Sequence, residues 1–269
     1  MDMPANLTIA IYGCATFAVA CQVISMLTKE HSWVDRLWSI TPVLYVVWFA
    51  LSAGRFDLRL LLMAVLVAAW GTRLTYNFAR KGGYRRGGED YRWEVLRRRM
   101  TPGQFAILNV VFINGFQHGL LLLLALPAWI MTTLPPSDLN VWDAIAGGFF
   151  LIFLVGETIA DQQQWNFHLK KAAGHGDGPG FLSTGLFRYS RHPNFFCEQG
   201  IWWSFYLFTI AAGSSWWNVA LLGPVLLTLL FHGSTAFTES ISASKYPEYA
   251  AYRRRTSRLI PWFPAAPKA

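Results

Sequence analysis

Residues 181–200 read FLSTGLFRYSRHPNFFCEQG and place Arg188, Tyr189, Ser190, Arg191, His192, Asn194 and Glu198 in quick succession between two apolar runs. Pro193 suits the first turn of a helix, where a missing N–H costs nothing. Helix N-termini attract anions, and guanidinium groups bind phosphate bidentately, so Arg188 and Arg191 beside such a terminus make a phosphate clamp. Gly185 permits a tight turn just before them. Glu198 lies one turn inside an apolar helix, where a carboxylate is costly and marks a functional position. The competing reading is a basic anchor at a helix end. It accounts for the arginines but not for His192, Asn194 and Glu198 together.

Other chemistry-bearing residues recur at helical spacing. In AAWGTRLTYNFARKGGYRRGGEDYRWE, Arg73 lies inside an apolar run and Tyr76, Asn77 and Arg80 follow one turn on. The Gly82–Gly88 loop carries Tyr84, Arg85 and Arg86 and is suited to wrapping an anionic ligand, with Glu89, Asp90 and Arg92 either to hold a ribose or to fasten the loop; the competing reading is a solvated charged loop. In GETIADQQQWNFHLKK, Glu157, Asp161, Gln164, Trp165 and His168 form one polar stripe on an apolar helix. A stripe of that kind cannot face lipid, so it faces the protein interior or a wet cavity. Asp35 in SWVDRLWSI is either a site acid, with Trp38 one turn away, or half of a surface ion pair. Asn109, Asn114, Gln117 and His118 cluster on one long span, where polar side chains commonly join helices; His118 as a catalytic acid is the alternative. Near the end, Tyr246, Tyr249 and Arg253 share a helical side, fit for stacking and phosphate contact or for an interfacial aromatic belt.

The elements that hold these residues are membrane helices. The chain has 269 residues, 54% hydrophobic and 14% charged, with a mean hydropathy of +0.30; soluble domains carry about 25% charged residues. Seven segments approach the roughly 20 apolar residues a span requires: 6–28, 34–53, 58–79, 104–134, 141–169, 194–212 and 216–243. The expectation is an all-α, polytopic, seven-helix bundle forming a single domain over residues 1–269. Lys and Arg concentrate after the third and fifth segments and in the tail, which sets those loops in the cytoplasm and the N-terminus outside. Arg55 and Arg59 are the exceptions. The net charge of +8 falls in short inter-helix segments, which argues against nucleic acid. Cys14, Cys21 and Cys197 are odd in number and lie in apolar runs, so neither disulfides nor a zinc site is expected; His168, His175 and His192 are too scattered for a metal. The short N-terminus lacks an early basic residue and enters a full-length apolar helix, so no cleavable signal is expected.

Together, GLFRYSRHPNFFCEQ, KYPEYAAYRRRTSRLIPW, SWVDRLW and the two long motifs above resemble the membrane steroid 5α-reductase family, in particular bacterial members once grouped as a domain of unknown function. The likeness spans nearly the whole chain. It implies a seven-helix enzyme of the bacterial inner membrane, a monomer, that binds NADPH from the cytoplasmic side and reduces a carbon–carbon double bond conjugated to a carbonyl in a lipophilic, bilayer-borne substrate. On that likeness the cofactor would meet Asn77, Arg80, Tyr84, Arg85, Glu157, Asp161, Trp165, Arg188, Tyr189, Arg191, His192, Asn194, Tyr246, Tyr249 and Arg253. Asp35, Tyr76 and Glu198 would act in catalysis. Glu157 stands where the family has an amide, and the Gln-Glu pair that grips the steroid ketone in animal members has no counterpart here. The same core also resembles isoprenylcysteine and phospholipid methyltransferases, which bind S-adenosylmethionine. Asp35, Arg73, Asn77 and the Gly/Arg loop favour the reductase, since the smaller methyltransferase bundles have no evident use for them.

Overall fold

The computed structural model describes residues 3–174 and 178–266. Among them the structure is helical, with one isolated bridge between Ser190 and Ser257 in place of any sheet. His175 and Lys268 lie outside the described residues.

Five helical stretches are long and apolar enough to cross a membrane: Ala5–Thr28, Leu58–Arg80, Pro102–Thr133, Val141–Ala172 and Val219–Lys245. Leu51, Val65, Ile152, Val155 and Leu229 project exposed from them or from their neighbours, as side chains meeting lipid do. The chain is therefore an integral membrane protein. The two other expected spans form helices but fall short. Segment 34–53 breaks into α2 (Trp33–Leu37) and α3 (Thr41–Ser52), because Pro42 cannot donate into a continuous helix and suits only a fresh first turn. The 12 residues of α3 rise only about 18 Å, against a hydrocarbon core of about 30 Å. The 19-residue α9 (Pro193–Ala211) is diluted by Asn194, Glu198 and Gln199.

The chain divides into two compact units, each made from two stretches: Met1–Gly147 with Phe205–Leu226, and Gly148–Ser204 with Leu227–Ala269. In the first, α1 (Ala5–Thr28), α3, α4 (Leu58–Arg80) and α7 (Gln117–Thr133) pack together. Phe49, Met63, Val67, Trp70, Leu121 and Ala125 are fully buried between them. Asp57 caps α4, accepting from the Arg59 and Leu60 N–H groups at 3.0 and 3.2 Å. Arg59 then pairs bidentately with buried Asp143, at 2.6 and 2.8 Å. Arg55 donates to the Met131 and Leu134 carbonyls. Both arginines that ran against the charge pattern are thus engaged inside the chain. Further along come α5 (Tyr91–Arg99), α6 (Pro102–Ile107) and a π-helical segment, Leu108–Phe116, which runs into α7.

The second unit is organised by the later part of α8 (Val141–Ala172), the first turns of α9, the later part of α10 (Leu222–Lys245) and α11 (Tyr249–Arg255). Glycines let α8 and α9 meet closely. A Cβ on Gly156 would lie 2.9 Å from Cys197 Sγ, and one on Gly200 would lie 2.5 Å from the Phe153 ring. That approach sets Glu157 of α8 at the level of Cys197 and Glu198 of α9. The three cysteines are free thiols.

Candidate functional site

In the second unit the 181–200 motif is assembled through its backbone. Gly185 takes φ 62 and opens a single 3-10 turn, Gly185–Arg188. Gln163 of α8 holds that turn, accepting the Leu186 N–H at 2.9 Å. Past the turn the motif lies along the C-terminal tail. The Arg191 and His192 N–H groups donate to the Ser257 and Arg258 carbonyls at 2.8 and 3.1 Å, and the Trp262 N–H donates to the Tyr189 carbonyl at 2.9 Å. The Ser190 hydroxyl donates to the Leu259 carbonyl at 2.7 Å. The Tyr252 hydroxyl donates to the Phe187 carbonyl.

Glu239 of α10 is the electrostatic centre of this arrangement. Arg191 reaches it through Nε at 2.6 Å and Nη2 at 3.1 Å, and His192 Nε2 lies 3.1 Å from Oε1. Arg253, half exposed, stands 3.4 Å away. Arg191 Nη1 donates to the Arg253 and Thr256 carbonyls. The open anion clamp expected of Arg191 is therefore not what the fold presents: its donors are engaged internally, and it braces the tail to the motif. His192, buried against the same carboxylate, belongs to that brace. Arg188 is exposed, and with Arg253 it presents positive charge beside the motif. Glu239 carried little signal in the sequence beyond being a lone acid in an apolar helix.

The polar stripe on α8 turns inward as its spacing requires. Glu157 and Asp161 are both 4% exposed, Gln164 and Trp165 are half-buried, and His168 is exposed at the helix end. Asn194 is half-buried in the first turn of α9. Glu198 is buried, and Trp202 Nε1 donates to it at 3.1 Å, fixing the carboxylate one turn along its own helix.

The tail tyrosines pack on the chain. Phe181 is the hub, with ring centroids 5.0 Å from Tyr249 and 5.3 Å from Tyr252. Tyr249 is buried there, and the face expected to stack on a ligand is occupied by protein. Tyr246 precedes α11. Its hydroxyl accepts from Lys171 Nζ at 3.0 Å, and Lys171 also donates to the Gly180 carbonyl. The Lys171 ammonium draws the Tyr246 phenol below its ordinary pKa of 10.0.

In the first unit a second group gathers where α2 meets the glycine loop. Buried Arg36 donates from Nε to the Gly83 carbonyl at 3.1 Å and from Nη2 to Glu30 at 2.6 Å and the Arg85 carbonyl at 3.3 Å. Glu30 also accepts the Gly87 N–H at 2.7 Å. That N–H, then Arg36, holds the Glu30 carboxyl below the usual range. Tyr84 donates to the Arg36 carbonyl at 3.2 Å, and its ring meets Phe78 edge-on. Gly82 and Gly87 take φ 83 and 78, a conformation that other residues rarely adopt. The loop is thus pre-shaped, with Arg85 and Arg86 exposed on it.

Asp35 pairs with neither Trp38 nor Arg36. It accepts from Trp93 Nε1 at 3.1 Å, a partner that sequence distance concealed. Burial, then the nearby Asp90 charge, pushes its carboxyl from 3.8 up to about 6. Asn77 is buried and accepts from Arg80 Nε at 3.0 Å, while Arg80 sits over the 66% exposed Tyr76 ring. Tyr76 is turned outward and is not brought to Asp35 as a catalytic partner.

An all-helical integral membrane protein with buried carboxylates on its spans and basic loops at their ends is the class this arrangement defines. The chain belongs to the DUF1295 family of proteins of unknown function, whose model matches residues 21–256. It is also 40% identical over 256 residues to the Schizosaccharomyces pombe (strain 972) protein named Uncharacterized protein C594.04c, an alignment covering 88% of this chain and 74% of that one. No solved structure matches the chain.

Proposed function

We propose that this protein is a membrane-embedded, NADPH-dependent reductase of a carbon–carbon double bond conjugated to a ketone in a lipophilic, steroid-like substrate. The observation that carries the reading is the trio Glu157, Asp161 and Glu198, three buried carboxylates on two closely packed apolar helices. Structural glue rarely needs three acids at such cost. Ribose hydroxyls and a carboxamide offer the donors that Glu157 and Asp161 accept. Asn194, in the first turn of α9, can take an amide contact, and exposed Arg188 and Arg253 suit phosphates. NADPH, when bound, supplies the hydride that adds to the β-carbon of the enone. Glu198, buried and oriented by Trp202, is the acid placed to act on the carbonyl oxygen as charge develops there. Asp35, already poised near neutrality, is the corresponding acid of the first unit.

The finer topology belongs to the same proposal: seven spans, N-terminus outside, in a bacterial inner membrane with the basic loops in the cytoplasm. Internal pairing of Arg55, just before α4, and Arg59, in its first turn, supports it, because neither is a free positive charge at that helix end.

Mass spectrometry of the nucleotide released from detergent-purified protein tests the function. NADP(H) in the wild type, lost in Asp161→Ala and Arg188→Ala, is the expected result. Arg191→Ala is a poor control, since it breaks the internal brace. S-adenosylmethionine or its demethylated product in place of NADP(H) would replace the reductase with a methyltransferase of the isoprenylcysteine or phospholipid type, which shares the GLFRYSRHPNFF core.

A further inference from the structure

The π-helical segment Leu108–Phe116 leads into α7 with Gln117 N–H donating to the Phe112 carbonyl, five residues back. Segments of this kind interrupt α-helices frequently at functional sites. Around this one stand Asn109, Asn114, Gln117 and His118, respectively 3%, 2%, 5% and 0% exposed. Asn114 and His118 are one turn apart and Gln117 lies beside them, so the three share a side of the helix. Gln22 of α1 faces the group, accepting from Asn114 Nδ2 at 2.7 Å and from Asn109 Nδ2 at 3.3 Å.

The cluster is incomplete. Both ring nitrogens of His118, Gln117 Oε1 and Asn114 Oδ1 are buried and have no hydrogen-bond partner among the described residues. A neutral imidazole offers one N–H and one bare nitrogen. The unmet demand is therefore three acceptors and one donor. A ketone, an ether or an ester brings acceptors alone and answers only the single donor. An O–H group answers both kinds. The side chains carry no charge, which favours a neutral donor over an ammonium. Buried polar atoms left unpaired are costly, and sites of this type are normally filled.

We propose that Asn114, Gln117 and His118 form a binding subsite for a neutral O–H donor, supplied either by the hydroxyl of a lipophilic alcohol or by ordered water. The subsite is independent of the reductase reading and stands even if no nucleotide binds. Thermal unfolding of the full-length protein in detergent tests it, using His118→Phe, Gln117→Leu and His118→Gln. An occupied subsite makes His118→Phe and Gln117→Leu unfold roughly 3–6 °C lower, while His118→Gln, which keeps a donor and an acceptor, stays close to wild type. Should His118→Phe yield no folded protein, Gln117→Leu decides. Unchanged or raised midpoints in both apolar variants would overturn the proposal, since deleting groups that truly lack partners is neutral or stabilising. Adding 1-dodecanol or its methyl ether separates the two sources. A larger stabilisation by the alcohol that persists in His118→Gln and disappears in His118→Phe and Gln117→Leu assigns the O–H to a lipophilic alcohol; equal responses, with the apolar variants still destabilised, assign it to water.

Discussion

Replacing Glu239 by Gln should loosen the second unit while leaving the first intact. The carboxylate receives two hydrogen bonds from Arg191, at 2.6 and 3.1 Å, and faces His192 at 3.1 Å. Its side chain is 3% exposed and that of Arg191 9%, so solvent screens the pair little. Removing one member of a buried pair costs about 3–5 kcal/mol. Arg191 keeps its two backbone carbonyls, and half-exposed Arg253 contributes less than about 1 kcal/mol, which sets the expectation near the low end, at about 3 kcal/mol. In a protein of this size that lowers an unfolding midpoint by roughly 6–12 °C. Peptide-resolved thiol labelling on heating reads the units separately, because Cys197 is buried in the second and Cys21 in the first. Cys197 should become reactive at lower temperature and Cys21 should not. Joint replacement, Glu239→Met with Arg191→Met, should recover part of the loss, since an apolar pair leaves no stranded charge. If Cys197 protection in Glu239→Gln matches wild type, or if the two Met substitutions are simply additive, the pair is not the brace described here.

Asp35 gives a pH signature. Its folded-state pKa of about 6 lies above the ordinary 3.8, so the folded form binds the proton more tightly and stability should fall as pH rises from about 4 to about 6, then level off. Asp35→Asn should abolish that slope and be the more stable protein at pH 7, as urea titrations at several pH values would register. Arg59→Met should strand buried Asp143 and cost about 3–5 kcal/mol, with Arg59→Met/Asp143→Leu recovering much of it in the same titrations. Gly200→Ala should force the Phe153 ring aside and cost on the order of 1–3 kcal/mol, seen as earlier Cys197 labelling. Lys171→Met should return the Tyr246 phenol toward its ordinary pKa, measured by ultraviolet titration against Tyr246→Phe.

What the sequence made legible was periodic. The stripe of Glu157 and Asp161 had to turn inward whatever its partners, because lipid accepts neither, and it does. Five long apolar runs had to be helices for the same reason. The break before Pro42 was available to a local reading, yet the apolar length of 34–53 obscured it. Pairings over long separations were not legible: Trp93 on Asp35, Asp143 on Arg59 and Glu239 on Arg191 are each set by packing that no local pattern encodes. Arg191 shows the consequence. Its type and position beside a helix start suit an anion, but an acid 48 residues away claims it first. The π-helical turn was likewise hidden, since Leu108–Phe116 has the composition of ordinary apolar helix.

The pairing of residues 189–192 with 257–262 also has a consequence in time. Residues 257–262 leave the ribosome only after α10 has emerged, so the edge of the central motif from Tyr189 to His192 waits for its backbone partners until they follow. Helices can enter the bilayer one by one before then, but the Ser190–Ser257 register can form only once residue 257 has followed them. A chain stopped near residue 250 would thus be inserted yet unlatched: Glu239 would keep Arg191 and His192 but lose Arg253, and the backbone edge from Tyr189 to His192 would have no tail to pair with.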